Sequence, residues 1–211
     1  MEIIGLRREG APRARFVRGP CSRVAALVLV LLPLLAGCGI NTIPTLDEQV
    51  SAAWAQVQNQ YQRRADLIPN LIETVKGYAQ QEREVLTEVT EARAKVSQMQ
   101  LPPDILTNEE ALRQFEQNQA QLTGALGRLM VVVEQYPDLK SNQNFLALQS
   151  QLEGTENRIA VARRDHIQAV QAYNTEIRTF PGRFWAMVYG AEPKASFTAS
   201  PGAEQAPRVT F

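Results

Sequence analysis

A cysteine preceded by small side chains is the first residue whose type and position predict a defined chemical modification. Cys38 ends the run Leu35-Ala36-Gly37-Cys38, which follows an apolar stretch from Val24 and, before it, a segment with six arginines. A thiolate is a strong nucleophile, and this order of features is typical of a bacterial lipoprotein export signal, in which the cysteine accepts a diacylglycerol and further acyl chains such as palmitate. The apolar stretch is about a dozen residues, too short to span a bilayer as a mature helix. We therefore predict that residues 1–37 are a signal peptide and that Cys38 carries lipid; the alternative is an uncleaved N-terminal anchor helix.

The counts of cysteine and charge restrict the functions open to the mature chain. Only Cys21 and Cys38 occur, one in the segment to be removed and one used for lipid, so we expect no disulfide. Residues 1–37 contain six of the 22 basic residues and two of the 22 acidic ones, which leaves a mildly acidic remainder. Nucleic-acid binding requires a basic patch or stripe. The composition therefore predicts no nucleic-acid partner.

The one histidine, His166, is the remaining candidate for metal binding or catalysis. Di-iron bundles use Glu-x-x-His pairs, but position 163 is arginine, and a zinc site needs two or more His or Cys ligands. No Gly-x-Ser-x-Gly elbow or phosphate-binding loop is present. We predict no metal, no cofactor and no enzymatic activity, with His166 packed on the buried face of a helix.

A charged segment around Pro69 is the candidate partner-binding surface. Asp66 stands three residues before Pro69, where we expect the helix to kink, and freed backbone groups beside mixed charges can form a docking patch. The alternative is that these charges only stabilise the helix. A Glu73–Lys76 pair, three residues apart, contributes a few tenths of a kcal/mol to helix stability. The residues of this candidate surface are Arg63, Arg64, Asp66, Asn70, Glu73 and Lys76.

Apolar residues spaced alternately by three and four predict three long helices that position these groups. The first runs from Thr45 to about Gln98, with a boundary expected between Arg64 and Pro69. The second opens at a Thr107/Glu110 capping box and ends at Pro137. The third runs from an N-cap at Ser141 to Phe180.

Short corners between long amphipathic helices predict an all-α, antiparallel up-and-down bundle, of three helices or of four if the kink is sharp. We assign residues 38–44 to a tether, 45–190 to the bundle and 191–211 to a largely flexible tail. An aromatic segment within 181–190 is expected to cap the open end of the bundle. The alternative for Phe184, Trp185 and Tyr189 is a second contact with the membrane.

Several long motifs resemble the LemA family. They are Gln62–Ala79, Leu126–Lys140, Glu153–Arg164, Tyr173–Asn174, Phe180–Gly182 and Pro207–Phe211. The resemblance implies a membrane-tethered, extracytoplasmic helical bundle without an assigned activity, whose partners are membrane proteins. This chain departs from the family in two places. The lipoprotein signal ending in Cys38 replaces the usual transmembrane anchor, and Asp165-His166-Ile167 replaces the Tyr-Asn that tends to follow the arginine pair, here Arg163-Arg164.

The sequence therefore predicts a lipid-anchored interaction or scaffold protein of the bacterial cell envelope. We expect it at a cell membrane on the extracytoplasmic side. If the cell has an outer membrane, Gly39, where inner-membrane lipoproteins commonly carry Asp, favours the periplasmic face of that membrane. The alternative function is a ligand- or lipid-binding bundle with an apolar cavity between its helices.

Overall fold

The computed structural model describes residues 39–198, which form helices and connecting segments without a strand in that range. Cys38, the predicted signal peptide 1–37 and the last part of the predicted tail, 199–211, lie outside the described residues. The all-α prediction is confirmed. The helices are α1 (Thr42–Lys76), α2 (Arg83–Gln98), α3 (Glu109–Val133), α4 (Pro137–Lys140), α5 (Gln143–Glu176) and α6 (Gly182–Tyr189).

The first long helix is interrupted at a different place from the one predicted. The boundary expected between Arg64 and Pro69 is wrong, because α1 continues through Pro69 to Lys76 and the chain turns before α2 begins at Arg83. Proline deprives the carbonyl four residues earlier of its helical donor. That carbonyl, on Ala65, instead accepts a hydrogen bond of 2.9 Å from Nε of Arg93 on α2. The neighbouring helix therefore satisfies the group that would otherwise favour a kink.

Three helix starts also differ from the prediction. α1 begins at Thr42 rather than Thr45, so residues 42–44 of the predicted tether are helical, and the other two starts differ by one residue each. The N-cap of α3 is Asn108, not Thr107, and its Oδ1 accepts a 3.1 Å hydrogen bond from the Ala111 amide. The N-cap of α5 is Asn142, not Ser141, and its Oδ1 accepts from the amides of Asn144 and Phe145. Asparagine is among the strongest N-cap residues. The neighbouring hydroxyls bond to the preceding turn instead, since Thr107 donates to the Asp104 carbonyl and Ser141 to the Asp138 carbonyl.

Contacts between helices establish the course of the chain. Along α1, Trp54 contacts His166 and the later Arg64 contacts the earlier Glu156, so α1 and α5 run in opposite directions. Glu88 pairs with Arg128 and Glu82 with Tyr136, so α2 and α3 are opposed as well.

Helix α3 runs in the same direction as α1. Tyr61 of α1 contacts Phe115 of α3, and the later Arg64 contacts the later Thr123. The chain therefore passes along the bundle four times, through α1, α2, α3 and α5.

The segment after α6 is packed against the bundle over its described length. The Ala195 amide donates a 2.7 Å hydrogen bond to the Leu106 carbonyl, and the side-chain amide of Asn174 bonds the backbone of Lys194 on both sides. Phe197 is 6% exposed. The bundle therefore extends to at least residue 198 rather than ending at 190, and flexibility remains a prediction only for residues 199–211.

Candidate functional site

Arg64 of the predicted charged surface is not at the surface. Its side chain is 2% exposed. The guanidinium donates to Oγ1 of Thr123 at 2.9 Å, to Oε1 of Glu156 at 3.0 Å, and to both the carbonyl and the side-chain oxygen of Gln119. The planar fork of arginine suits such multiple recognition. Arg64 therefore links α1 to α3 and α5, and we remove it from the docking surface.

The other five residues of that surface are exposed on α1: Arg63, Asp66, Asn70, Glu73 and Lys76. Their spacing of three and four residues places them along one face of a helix. Asp66 accepts a 2.8 Å hydrogen bond from Gln62, and Lys76 lies 3.7 Å from Glu73. We call these five residues the charged strip.

A cleft adjoins the end of the charged strip. It lies between the last turns of α1 and the first turns of α2, has a volume of about 640 Å³ and opens to solvent. Ile72 and Leu86 supply apolar lining, and Lys76 and Arg83 supply two positive charges against the one negative charge of Glu91. The arrangement can receive an apolar group that carries a negative charge.

The interior of the bundle is filled by the predicted apolar faces of the helices. Val57, Ile68, Leu122 and Leu129 are fully buried. Phe180, which was predicted to continue the buried face of the third helix, is instead 88% exposed. The reason is that α5 ends at Glu176, so the spacing no longer applies at residue 180.

His166 lies on the buried face of α5, as predicted. Its ring is fully buried between Trp54, 5.6 Å away, and Phe197, 5.1 Å away. Neither ring nitrogen has a hydrogen-bond partner among the described residues, and burial lowers the pKa of His166 to about 4. The ring is therefore neutral at pH 7 and acts as an aromatic packing group. Within residues 39–198, no three His, Cys, Asp or Glu side chains are grouped to hold a metal ion.

Sequence reasoning missed two features of this region. Arg64 follows Val57 and Tyr61 at the same spacing as the apolar residues, which was the available signal that it is buried. Phe197 is held over the Arg163 guanidinium at 4.5 Å, and Arg163 in turn pairs with Glu116 at 2.7 Å. Nothing in the Ala- and Pro-rich composition around Phe197 signals that contact.

The predicted aromatic cap is the short helix α6. Ala186 is buried and Trp185 partly buried against residues from the start of α1 and the end of α5, as a cap requires. Phe184, Met187 and Val188 are nevertheless exposed. Only one side of α6 is therefore used in capping.

None of the helices within residues 39–198 combines the length and apolar character needed to span a bilayer.

Comparison with known proteins identifies relatives over most of the chain. The profile of the LemA family matches residues 53–211. Magnetosome proteins MamQ 1 and MamQ 2 of Paramagnetospirillum magneticum are each 28% identical over 217 residues, covering 93% of this chain and 79% of the relative. Protein LemA of Metamycoplasma hominis is 25% identical over 140 residues, covering 66% of this chain and 60% of that protein.

Proposed function

Because the chain belongs to the LemA family, we propose that it is a membrane-tethered interaction or scaffold protein of the bacterial cell envelope. In this proposal, lipid on Cys38 holds the bundle on the extracytoplasmic side, facing the periplasm in a cell with an outer membrane. The bundle binds a membrane protein and performs no catalysis. The observation that carries the proposal is the charged strip, an exposed row of mixed charges on α1. The buried side of α1 is held by contacts with the other helices.

The support beneath the strip is polar as well as apolar. Arg64 bonds α1 to α3 and α5, and Arg93 bonds α2 to the Ala65 carbonyl. From Arg63 to Lys76 the strip extends about 20 Å along the helix axis. A surface that is already rigid loses little conformational entropy on binding. It therefore suits a helix or loop that carries complementary charges at similar spacing.

The position of the tether follows from chain length. Cys38 precedes the first residue of α1 by four positions, a separation that extended chain covers in at most about 14 Å. Acyl chains are each stabilised in a bilayer by about 0.8 kcal/mol per buried methylene, and two or more give stable anchoring. Lipid on Cys38 would therefore keep the start of α1 close to the membrane surface.

Charge reversal within the strip tests the docking proposal. The full-length chain is captured from cross-linked membranes as wild type, as Arg63→Glu with Glu73→Lys, and as a matched control, Arg158→Glu with Glu153→Lys. Both pairs leave the net charge unchanged, and all four residues are exposed. Loss of a discrete membrane-protein partner with the strip variant alone is expected. Equal capture by all three proteins would refute the docking role.

Metabolic labelling tests the tether separately. Palmitate is expected to label the wild type and not Cys38→Ala, and the variant is expected to leave the membrane fraction. Undiminished labelling of Cys38→Ala would refute lipid attachment at this residue.

A second candidate function is ligand binding, favoured by the 640 Å³ cleft between α1 and α2. Its apolar lining and the charges of Lys76 and Arg83 suit an amphipathic anion such as a fatty acid. Equilibrium binding of a fluorescent fatty acid, with Lys76→Glu and Arg83→Glu together as the variant, tests this function. Binding that saturates and falls at least tenfold in the variant would support it, and no saturable binding would refute it.

A further inference from the structure

The outward side of α6 carries large apolar side chains. Met187 is 79% exposed, Val188 62% and Phe184 58%. Within α6, the spacing of 184, 187 and 188 places these three residues on one side, and Phe180, just before the helix, is also exposed. A helix that is apolar on both sides is normally buried on both. We call these four residues the apolar face.

Packing holds this face outward. A Cβ atom on Gly182 would lie 2.3 Å from the Glu176 carbonyl oxygen, so glycine is needed for the first turn of α6 to approach the end of α5. Ala186 is buried in a cluster with Ile43 and Val50 of α1, and Trp185 packs against that cluster. The exposure of Phe184, Met187 and Val188 is therefore fixed by a helix anchored on its other side.

The apolar face lies at the end of the bundle from which the chain continues toward Cys38. The cluster beneath α6 contains Ile43, the second residue of α1. Two of the other exposed large apolar residues lie at the opposite end: Val131 is near the end of α3 and Leu146 near the start of α5, both beside the turn at α4. The apolar face is thus at the same end as the predicted tether.

One cation of α6 lies beside the apolar face. Arg183 precedes Phe184, is exposed, and forms no ion pair within the described part of the chain. Basic side chains beside an exposed apolar helix are typical of a surface that rests in the headgroup layer of an anionic membrane.

We propose that Phe180, Phe184, Met187 and Val188 insert into the interfacial layer of the bilayer to which the chain is tethered, giving the bundle a second membrane contact and a fixed orientation. This inference rests on the proposed tethering. With the tether and the apolar face both at the membrane, α1 extends away from the bilayer, starting from its first residue. The charged strip then lies several helical turns from the membrane surface.

Fluorescence quenching by brominated phospholipids tests the contact in the full-length chain, reconstituted in phosphatidylethanolamine–phosphatidylglycerol vesicles. The chain has two tryptophans, of which Trp54 is buried in the bundle and Trp185 lies beside Phe184, with ring centroids 5.3 Å apart. Quenching is expected in the wild type and is expected to be lost in Trp185→Phe. It is expected to fall several-fold when Phe184, Met187 and Val188 are all changed to Ser.

The matched control changes three exposed apolar residues elsewhere, Val131, Leu146 and Val161, to Ser. This variant should be quenched like the wild type. Because Arg183 is assigned to an anionic headgroup, quenching should weaken in vesicles of phosphatidylcholine alone, and equal quenching in both lipids would contradict that assignment.

Sedimentation of the same vesicles separates the two proposals. A chain that sediments but is not quenched, or whose quenching is the same in the triple Ser variant, overturns the membrane contact and leaves the tether intact. A chain that does not sediment overturns both.

Discussion

Replacing Arg64 by Ala should destabilise the bundle far more than replacing its exposed neighbour Arg63. The Arg64 side chain is 2% exposed and contacts two other helices. Its removal leaves Oε1 of Gln119, a residue that is 4% exposed, without its donor, while the Gln119 carbonyl keeps the Thr123 hydroxyl. A buried polar group left unpaired costs about 1–3 kcal/mol.

Two further effects set the magnitude for Arg64→Ala. Loss of two buried methylene groups of the stem costs about 1.6 kcal/mol, at about 0.8 kcal/mol each. Glu156, whose side chain is 39% exposed, can be hydrated and contributes little. We therefore expect a loss of about 3 kcal/mol for Arg64→Ala, about 1–2 kcal/mol for Arg64→Met, which keeps the stem packed, and less than about 0.5 kcal/mol for Arg63→Ala.

Urea denaturation of the detergent-solubilised chain, followed by circular dichroism at 222 nm, measures these differences. The expected order of stability is wild type and Arg63→Ala together, then Arg64→Met, then Arg64→Ala. If Arg64→Ala lost less than about 1 kcal/mol, the buried link between α1, α3 and α5 would not stabilise the fold as we argue.

Three other predictions follow from particular contacts. Burial lowers the pKa of His166 from 6.5 to about 4, so the unfolded chain binds the proton first as the pH falls. The free energy of unfolding should therefore fall by about 3 kcal/mol between pH 6.5 and pH 4. Urea titrations across this range should show a smaller fall in His166→Leu, and the same pH dependence in both proteins would contradict the assignment. Arg93→Ala should lower the free energy of unfolding by about 1–3 kcal/mol because it leaves the Ala65 carbonyl unpaired. In a Pro69→Ala background that loss should be smaller, since residue 69 then has an amide that can donate to the same carbonyl. A double-mutant cycle in urea that shows no coupling would mean that Arg93 does not replace the missing helical donor. Gly182→Ala should destabilise the bundle by about 1–3 kcal/mol because the new Cβ meets the Glu176 carbonyl. Gly154 has open space around it, so the control Gly154→Ala should stabilise the bundle by up to about 1 kcal/mol. Thermal melts of both variants measure the difference.

The spacing of apolar residues was sufficient to predict the helical fold, because each long helix buries one continuous face. Val57, Leu122 and His166 are all buried where that spacing placed them. The break in the first helix was missed because Pro69 is the stronger local signal, whereas the actual turn begins at Gly77, a weaker one. Only the position of Arg93 in space explains why the proline is tolerated.

The candidate site was predicted in part for a similar reason. Five of its six residues share an exposed face of α1, as local spacing implies. Arg64 differs because charge alone suggested the surface, while its partners Gln119 and Glu156 are distant in sequence. The packing of Phe197 on His166 likewise depends on a long-range contact that composition does not encode.

Site-specific photo-cross-linking in living cells tests the docking role of the charged strip most directly. Benzoylphenylalanine is placed at Asn70, in the middle of the strip, or at Asn157 on the exposed side of α5, in otherwise wild-type full-length chains. We predict a discrete cross-link to a membrane protein from position 70 and none of the same size from position 157. Absence of any cross-link from position 70, or the same products from both positions, would contradict the account.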